Sequence, residues 1–525
     1  MKRMICGLLC AITIISMASC NKQQNANTQH SIGTSDVGDT GGLKLPLTSK
    51  NETITWAVSS SISNLNELFV HQKLKEITGV NVQIDAYPTS TIQEKIKVLA
   101  ASKKLPDIVG AGFGNNEQIN DLAVQGAFAS VDNKLDIMPN FKSIFADNPE
   151  NKWIFTSYQA NDGHLYVLPS YDINRDVNHG MLYRKDVFDK HGITPWTNQE
   201  EFYQNLKKLK ELYPASTPFT SKNQSTLFTH LGTSWGIVAN SPYYDEEEKT
   251  WKYSDTDPKM KDMLDFLRKL YTEGLIDPEF LTLTQSAWTS KMTQADKAFT
   301  TFDWIGRLDS FTEEARKTTP DYDLRYGYPI GPKGTLITLP KVTGGIAVSN
   351  NKNTELSLQL ADFMLSPAGA KLMTMGEEGV TYSLDENGKA NYIEYPDKNP
   401  NITDLEQKYG MYVNGMYRRF DRNSNYYIFS EREQEAQNFA QKDNIFEPAD
   451  PILRFTNEQK EVINDKMPNL RKAASEFFSN YILGSKTGDS AWREWLTKAE
   501  TMGASEIVNI YNQSQEEYDK EQGGK

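Results

Sequence analysis

Cysteine is nearly missing from this chain: Cys6, Cys10 and Cys20 are the three, and none lies beyond position 20. The rest of the chain has no disulfide or thiol chemistry to draw on, so a hydrophobic core alone must hold it. Histidine is scarce too, and the six are His30, His71, His164, His179, His191 and His230. They form no HExxH, no CxxC accompanies them, and a zinc site has no support. Dense basic blocks are absent: 56 Lys and Arg stand against 69 Asp and Glu, for a formal charge of -13. Such a chain is a poor nucleic-acid binder. Beyond the leader, no apolar run approaches the roughly 20 residues that a membrane-spanning helix needs. No fixed repeat period appears.

What is present begins at the N-terminus. Lys2 and Arg3 precede a stretch over residues 4–17 that is nearly all apolar or small, and Ala18-Ser19-Cys20 follows. This is the layout of a secretion signal. Met17-Ala18-Ser19-Cys20 resembles the bacterial lipobox. That resemblance implies that Cys20 carries a diacylglyceryl group, starts the mature chain and anchors it extracytoplasmically to the cell membrane. Residues 21–50 are rich in Asn, Gln, Thr, Ser, Gly and Asp and read as a disordered tether.

The folded part opens on an alternating strand, Ile54, Trp56 and Val58. Helical spacing follows in Leu65, Leu68, Phe69 and Ile77, with Asn64 as N-cap and Gly79 past the end. Val80, Val82 and Ile84 alternate again, before a helix carrying Ile92, Ile96 and Leu99. Leu105-Pro106-Asp107-Ile108-Val109 is a third strand, giving a βαβαβ order and a mainly parallel sheet. The remainder is helix-rich. Asp257-Pro258 opens a helix closed by Gly274, and another runs from Leu356 to a stop at Pro367. Leu470, Ala473, Ala474, Phe477, Phe478, Tyr481 and Ile482 mark one face of a long helix, and Asp489 starts the next. These stripes read as core.

Three further patterns suggest chemistry and fail on inspection. Gly232-Thr233-Ser234-Trp235-Gly236 matches the nucleophile elbow, but no His follows Ser234 in the chain. Asp172, Asn174, Asp176 and Asn178 alternate as in a calcium loop, yet Val177 and Tyr183 occupy the positions that need Gly and a bidentate Glu. Gly110-Ala111-Gly112-Phe113-Gly114-Asn115 is not a dinucleotide fingerprint; it is a tight turn where backbone can approach a ligand. No cofactor is expected. Carboxylate pairs cannot be judged this way, because a glycosidase needs only two acids at the right distance in space.

Several phrases in order resemble the extracellular solute-binding proteins of the carbohydrate ABC importer type, family 1. They include Leu105-Pro106-Asp107-Ile108-Val109, Gly126-Ala127-Phe128, Asp162-Gly163-His164-Leu165-Tyr166-Val167-Leu168-Pro169 and Leu182-Tyr183-Arg184-Lys185-Asp186. Glu273-Gly274-Leu275-Ile276-Asp277-Pro278, Phe302-Asp303-Trp304-Ile305-Gly306-Arg307 and the closing Asp489, Trp492, Met502 and Tyr511 continue the series. The group it resembles most is the large lipoprotein oligosaccharide binders of Gram-positive bacteria.

The resemblance implies an α/β, two-lobe periplasmic-binding-protein-like fold (type II) with discontinuous lobes joined by a hinge. Residues 1–20 are then the lipoprotein signal and 21–50 the tether. Lobe 1 holds 51–174 and 344–383, and lobe 2 holds 175–343 and 384–525. The chain is expected to cross between lobes near 170–178, 343–345 and 380–383, with Gly344-Gly345 suited to a hinge.

Solute belongs at the carboxyl ends of the strands, where Ser59, Ser60, Ser61, Gly112, Phe113 and Asn115 follow the first and third. Trp304 falls where the maltose-binding pattern carries a sugar-stacking Trp, with Asp303 beside it and Arg307 one turn later. Trp56, Tyr171, Trp235, Trp288 and Tyr382 are further candidate contacts. The expected partners are an oligosaccharide, ABC permease subunits and the membrane through the lipid; the protein is expected to be monomeric and not an enzyme. The alternatives are a secreted glycan-active enzyme, glycosidase or lyase, and a lipoprotein that presents ligand to a membrane sensor.

Overall fold

The computed structural model describes residues 37–523, apart from 174–176, 223, 335, 338–339, 387–388, 397–398, 422–423, 425–429, 444–445, 448–450 and 485. Cys20, the signal and residues 21–36 of the expected tether lie outside the described residues, as do Asn174 and Asp176. Among the described residues, no helix is long and apolar enough to cross a membrane.

In chain order the strands are β1 (Thr53–Ser59), β2 (Asn81–Tyr87), β3 (Ile108–Val109), β4 (Leu168–Tyr171), β5 (His179–Arg184) and β6 (Phe219–Thr220). The hairpin β7 (Pro242–Asp245) and β8 (Thr250–Tyr253) comes next, then β9 (Thr300–Trp304), β10 (Leu324–Gly327), β11 (Leu336–Ile337) and β12 (Val342–Val348). Two sheets organise the fold, in the orders β2-β1-β3-β12-β4 and β10-β5-β9-β6. The βαβαβ expectation holds in the first sheet, where β1 runs parallel to both β2 and β3. The strand β12 returns from far along the chain and pairs antiparallel with β3 and β4. In the second sheet β5 is antiparallel to β9 and β10, and β6 is parallel to β9.

Separate cores back the two sheets. The first collects Ile54, Trp56, Val109, Phe141, Ala347 and Phe363; the second collects Phe188, Trp196, Leu264, Phe299, Phe478 and Trp495. The helices were legible from their ends. Asp257 accepts from Lys259 N–H with Pro258 at the first helical position, and Gly79 ends Phe69–Thr78 in the left-handed region at φ 73°. The helix expected from Leu65 is broken: Leu65–Glu67 is a 3₁₀ turn and the α-helix restarts at Phe69. Pro367, expected only as a stop, also begins the next helix, Pro367–Thr374, capped by Ser366.

Three boundaries differ from the sequence reading. Residues 37–50 are no tether: Leu43 is buried in the first core, Ala368 N–H donates to Asp39 O at 2.9 Å and Leu47 N–H to Thr78 O at 2.8 Å. Their polar composition hides a strap fixed by backbone bonds. The described residues of 390–420 pack in lobe 1, not lobe 2, through Tyr392, Leu405, Tyr409, Met411, Val413 and Phe420. The third crossing therefore falls after Phe420, before Ala436 joins the second lobe's cluster, and not at 380–383. Likewise residues 343–345 lie inside β12, where the register with β4 shifts between Thr343 and Ile346, and the second crossing precedes Val342. The first sheet's β4 ends at Tyr171, and the second sheet's β5 begins at His179.

Candidate functional site

The carboxyl ends of β1 and β3 meet a segment that comes from far along the chain. Ser59 N–H donates to Asn414 O at 2.9 Å, and Trp56 Nε1 donates to Gly415 O at 3.0 Å. The approach is close enough to require glycine twice. A Cβ on Gly110 would lie 2.1 Å from Gly415 O, and one on Gly415, held at φ 92°, would lie 2.5 Å from Gly110 O. The result is a floor with a cavity of about 380 Å³, lined among others by Ser59, Thr89, Gly112, Thr343, Asn414 and Tyr417. Its polar groups are hydroxyls, amides and bare backbone, set among the apolar side chains of Ile92, Phe113, Ile173 and Ile346. Just beyond the rim, Ser60 donates to Glu406 at 2.8 Å, and burial pushes the Glu406 carboxyl up.

Across the first crossing, the second lobe presents the ends of β6 and β9 beside the start of β5. His179 stands opposite Trp304 in the ladder, and Ile305 N–H donates to Asn178 O at 2.8 Å. Only the short link from Ser170, which lines the floor, to Asn178 separates the two walls in sequence. Trp304 is 38% exposed, unusual for an indole in this molecule, and its ring lies over Gly306, where a Cβ would be 2.4 Å from it. Asp303 is fully buried and joined to two cations, Lys222 at 2.9 Å and Arg307 at 3.0 Å. The Arg307 guanidinium lies 5.3 Å from the Trp288 ring, 5.7 Å from Phe311 and 5.9 Å from Trp304. His179 and His230 stack at 4.3 Å with planes 8° apart. Burial, then the neighbouring ring, pushes His179 down to about 4, and burial lowers His230 as well.

The sequence candidates thus separate. Trp304, Arg307 and Asp303 form one cluster. Four others are corrected: Trp56, Trp235, Trp288 and Tyr382 are buried, and a ring with no open face cannot stack on a solute. Trp56 ties β1 to Gly415, Trp235 packs on Phe266, Trp288 donates to Thr301 Oγ1 at 3.0 Å, and Tyr382 lies against Tyr392. Tyr171 is half-buried beside Phe145 and Arg419. Asn115 caps the helix Asn116–Ala123, accepting from Gln118 N–H, and lines a second cavity with Tyr158, Arg454 and Phe455.

Sequence reasoning missed Lys222, His179, His230, Asn414 and Tyr417. Lys222 was findable, two residues past the end of β6 at a strand carboxyl end. Ser234 is buried in a 3₁₀ turn after a helix, with Oγ donating to Leu231 O at 2.8 Å, so the elbow's strand-before-helix setting is missing. Among the described residues, no three His, Cys, Asp or Glu gather as a metal site.

Two α/β sheets, each backed by its own core, are the two-lobe architecture of a solute-binding receptor. Residues 70–397 match the family described as bacterial extracellular solute-binding protein, and the chain belongs to that family. It is 22% identical over 343 residues to the lipoprotein LipO of Bacillus subtilis, and 23% identical over 259 residues to that organism's melibiose/raffinose/stachyose-binding protein MelE. These matches cover 60% and 47% of this chain and span only 64% and 55% of those curated relatives. Among solved structures, the fold is similar to the alginate-binding protein AlgQ2, at TM-score 0.66 and 23% identity over 90% of this chain and 99% of that one. It is also similar to an HMO-binding ABC-transporter-associated protein of Bifidobacterium longum infantis, at TM-score 0.68 and 17% identity over 90% and 99%.

Proposed function

We propose that this protein captures an oligosaccharide between its lobes and delivers it to an ABC importer, held at the outer face of the membrane by lipid on Cys20. The observation that carries the reading is the exposed Trp304 ring set beside an ion-paired Asp303–Lys222–Arg307 group on the second lobe, together with a first-lobe cavity that offers hydroxyls, amides and bare backbone beside apolar side chains. A pyranose offers an apolar face to an aromatic ring and a rim of hydroxyls to fixed polar groups, and that combination fits these walls. The names of its relatives, a raffinose-type sugar binder and a lipoprotein, support the same reading. Capture is a population shift: contacts with both walls exist only when the lobes close, so solute favours the closed form. The activity is binding without turnover.

Calorimetric titration against a panel of oligosaccharides tests this. The account expects at least one glycan to bind, Trp304→Ala to weaken it by about 2 kcal/mol, and no new reducing ends to appear on prolonged incubation. Turnover that vanishes when one Asp or Glu is neutralised would establish a glycan-active enzyme instead.

A further inference from the structure

The two walls of the cleft differ in charge. Among the described residues, no Asp, Glu, Lys or Arg lines the floor cavity of the first lobe. On the second lobe's wall, Asp303 supplies one negative charge against the two positive charges of Lys222 and Arg307. His179 and His230 add ring nitrogens there but no charge at neutral pH, since burial lowers both. Among the described residues, one positive unit is left over beside the exposed indole, on a protein whose formal charge is -13.

This excess is held rigidly. Asp303 is sealed from solvent and fixes both cationic head groups, while Trp288 lies 5.0 Å from Lys222 Nζ and 5.3 Å from the guanidinium. Each cation still keeps a solvent-facing part, 16% for Lys222 and 22% for Arg307. Cations fixed in advance, next to a stacking surface, suit an anionic acceptor better than a hydroxyl, because charge-assisted bonds are the stronger and no ordering of the side chains remains to be done. A polyanion does not fit. Among the described residues the floor offers it no second cation, and the net charge repels it at long range.

Building on the glycan-binding reading above, we propose that the ligand carries one acidic group on a single sugar unit, received by Lys222 and Arg307, while the rest of the chain on the first lobe's floor is uncharged. A carboxylate and a sulfate share this chemistry.

The test is calorimetry with the whole mature protein on a panel in which each neutral trisaccharide is paired with its single-uronate and single-sulfate forms. An acidic member is expected to bind about tenfold or more tighter than its neutral partner, with affinity falling as salt rises; the two acidic arms tell carboxylate from sulfate. Lys222→Gln and Arg307→Gln each bring the acidic-to-neutral ratio down toward one, and Lys222→Arg retains it. Thermal melts check folding. If Lys222→Gln fails to fold because Asp303 loses a partner, the double variant Lys222→Gln with Asp303→Asn removes both charges and reads the same ratio. Neutral members binding as tightly as their acidic partners overturn this inference alone. No binding by any member, neutral or acidic, contradicts the glycan reading and this inference with it.

Discussion

At the scale of the residue, one side-chain type has two opposite uses in this cleft. Trp304 and Trp288 both sit near Arg307, but Trp304 is open to solvent and Trp288 is fully buried. Trp288→Ala is expected to cost roughly 3–5 kcal/mol of stability, as for a core aromatic, and chemical denaturation reads it. Trp304→Ala should leave the midpoint nearly unmoved while lowering affinity, so a large loss of stability there would make it a core residue. The sequence could not separate the two, because an aromatic ring signals either a wall or a core until its neighbours are known.

His71 makes a second residue-scale prediction. It is buried, neither ring nitrogen has a partner among the described residues, and burial pushes it down to about 4. A histidine depressed in the folded state contributes stability that is present above its unfolded value near 6.5 and lost as pH falls toward 4. The full effect is on the order of 3 kcal/mol. Urea titrations of wild type and His71→Leu between pH 7.5 and 4.5 should show a steeper loss for wild type. Parallel slopes would contradict the assignment.

At the scale of the element, periodicity and caps went far. The alternation of Ile54, Trp56 and Val58 marks β1, and Asp257-Pro258 marks a helix start that the structure confirms. What local pattern could not show was where residues 390–420 belong. Their apolar side chains are spaced irregularly, and their place is set by contacts to β1 and β3 far earlier in the chain, the Trp56–Gly415 bond spanning 359 residues. The Gly110–Gly415 approach is the joint of that arrangement. Gly415→Ala puts a side chain at φ 92° and 2.5 Å from Gly110 O, and the strain should cost about 1–3 kcal/mol. Because Asn414 lines the floor, glycan affinity should fall along with the melting temperature. Unchanged melting and affinity would show that the segment is free to move aside.

At the scale of the whole molecule, the two-lobed plan was legible from ordered phrases, whereas its boundaries were not. The strap at 37–50 reads as linker by composition, yet Leu43 and a few backbone bonds fix it to lobe 1. If the leader ends at Cys20, lipid is tied to that lobe by a short stretch. Cys20→Ser should then move the protein from the membrane to the soluble fraction on cell fractionation, and a variant that stays membrane-bound and processed would place the anchor elsewhere.

The central claim is capture of solute between two lobes that close on it. Small-angle X-ray scattering of the mature protein, with and without a saturating oligosaccharide identified by calorimetry, tests this most directly. The account predicts a smaller radius of gyration when the glycan is bound, with Trp304→Ala needing more glycan to reach it. An unchanged radius at proven saturation would contradict it.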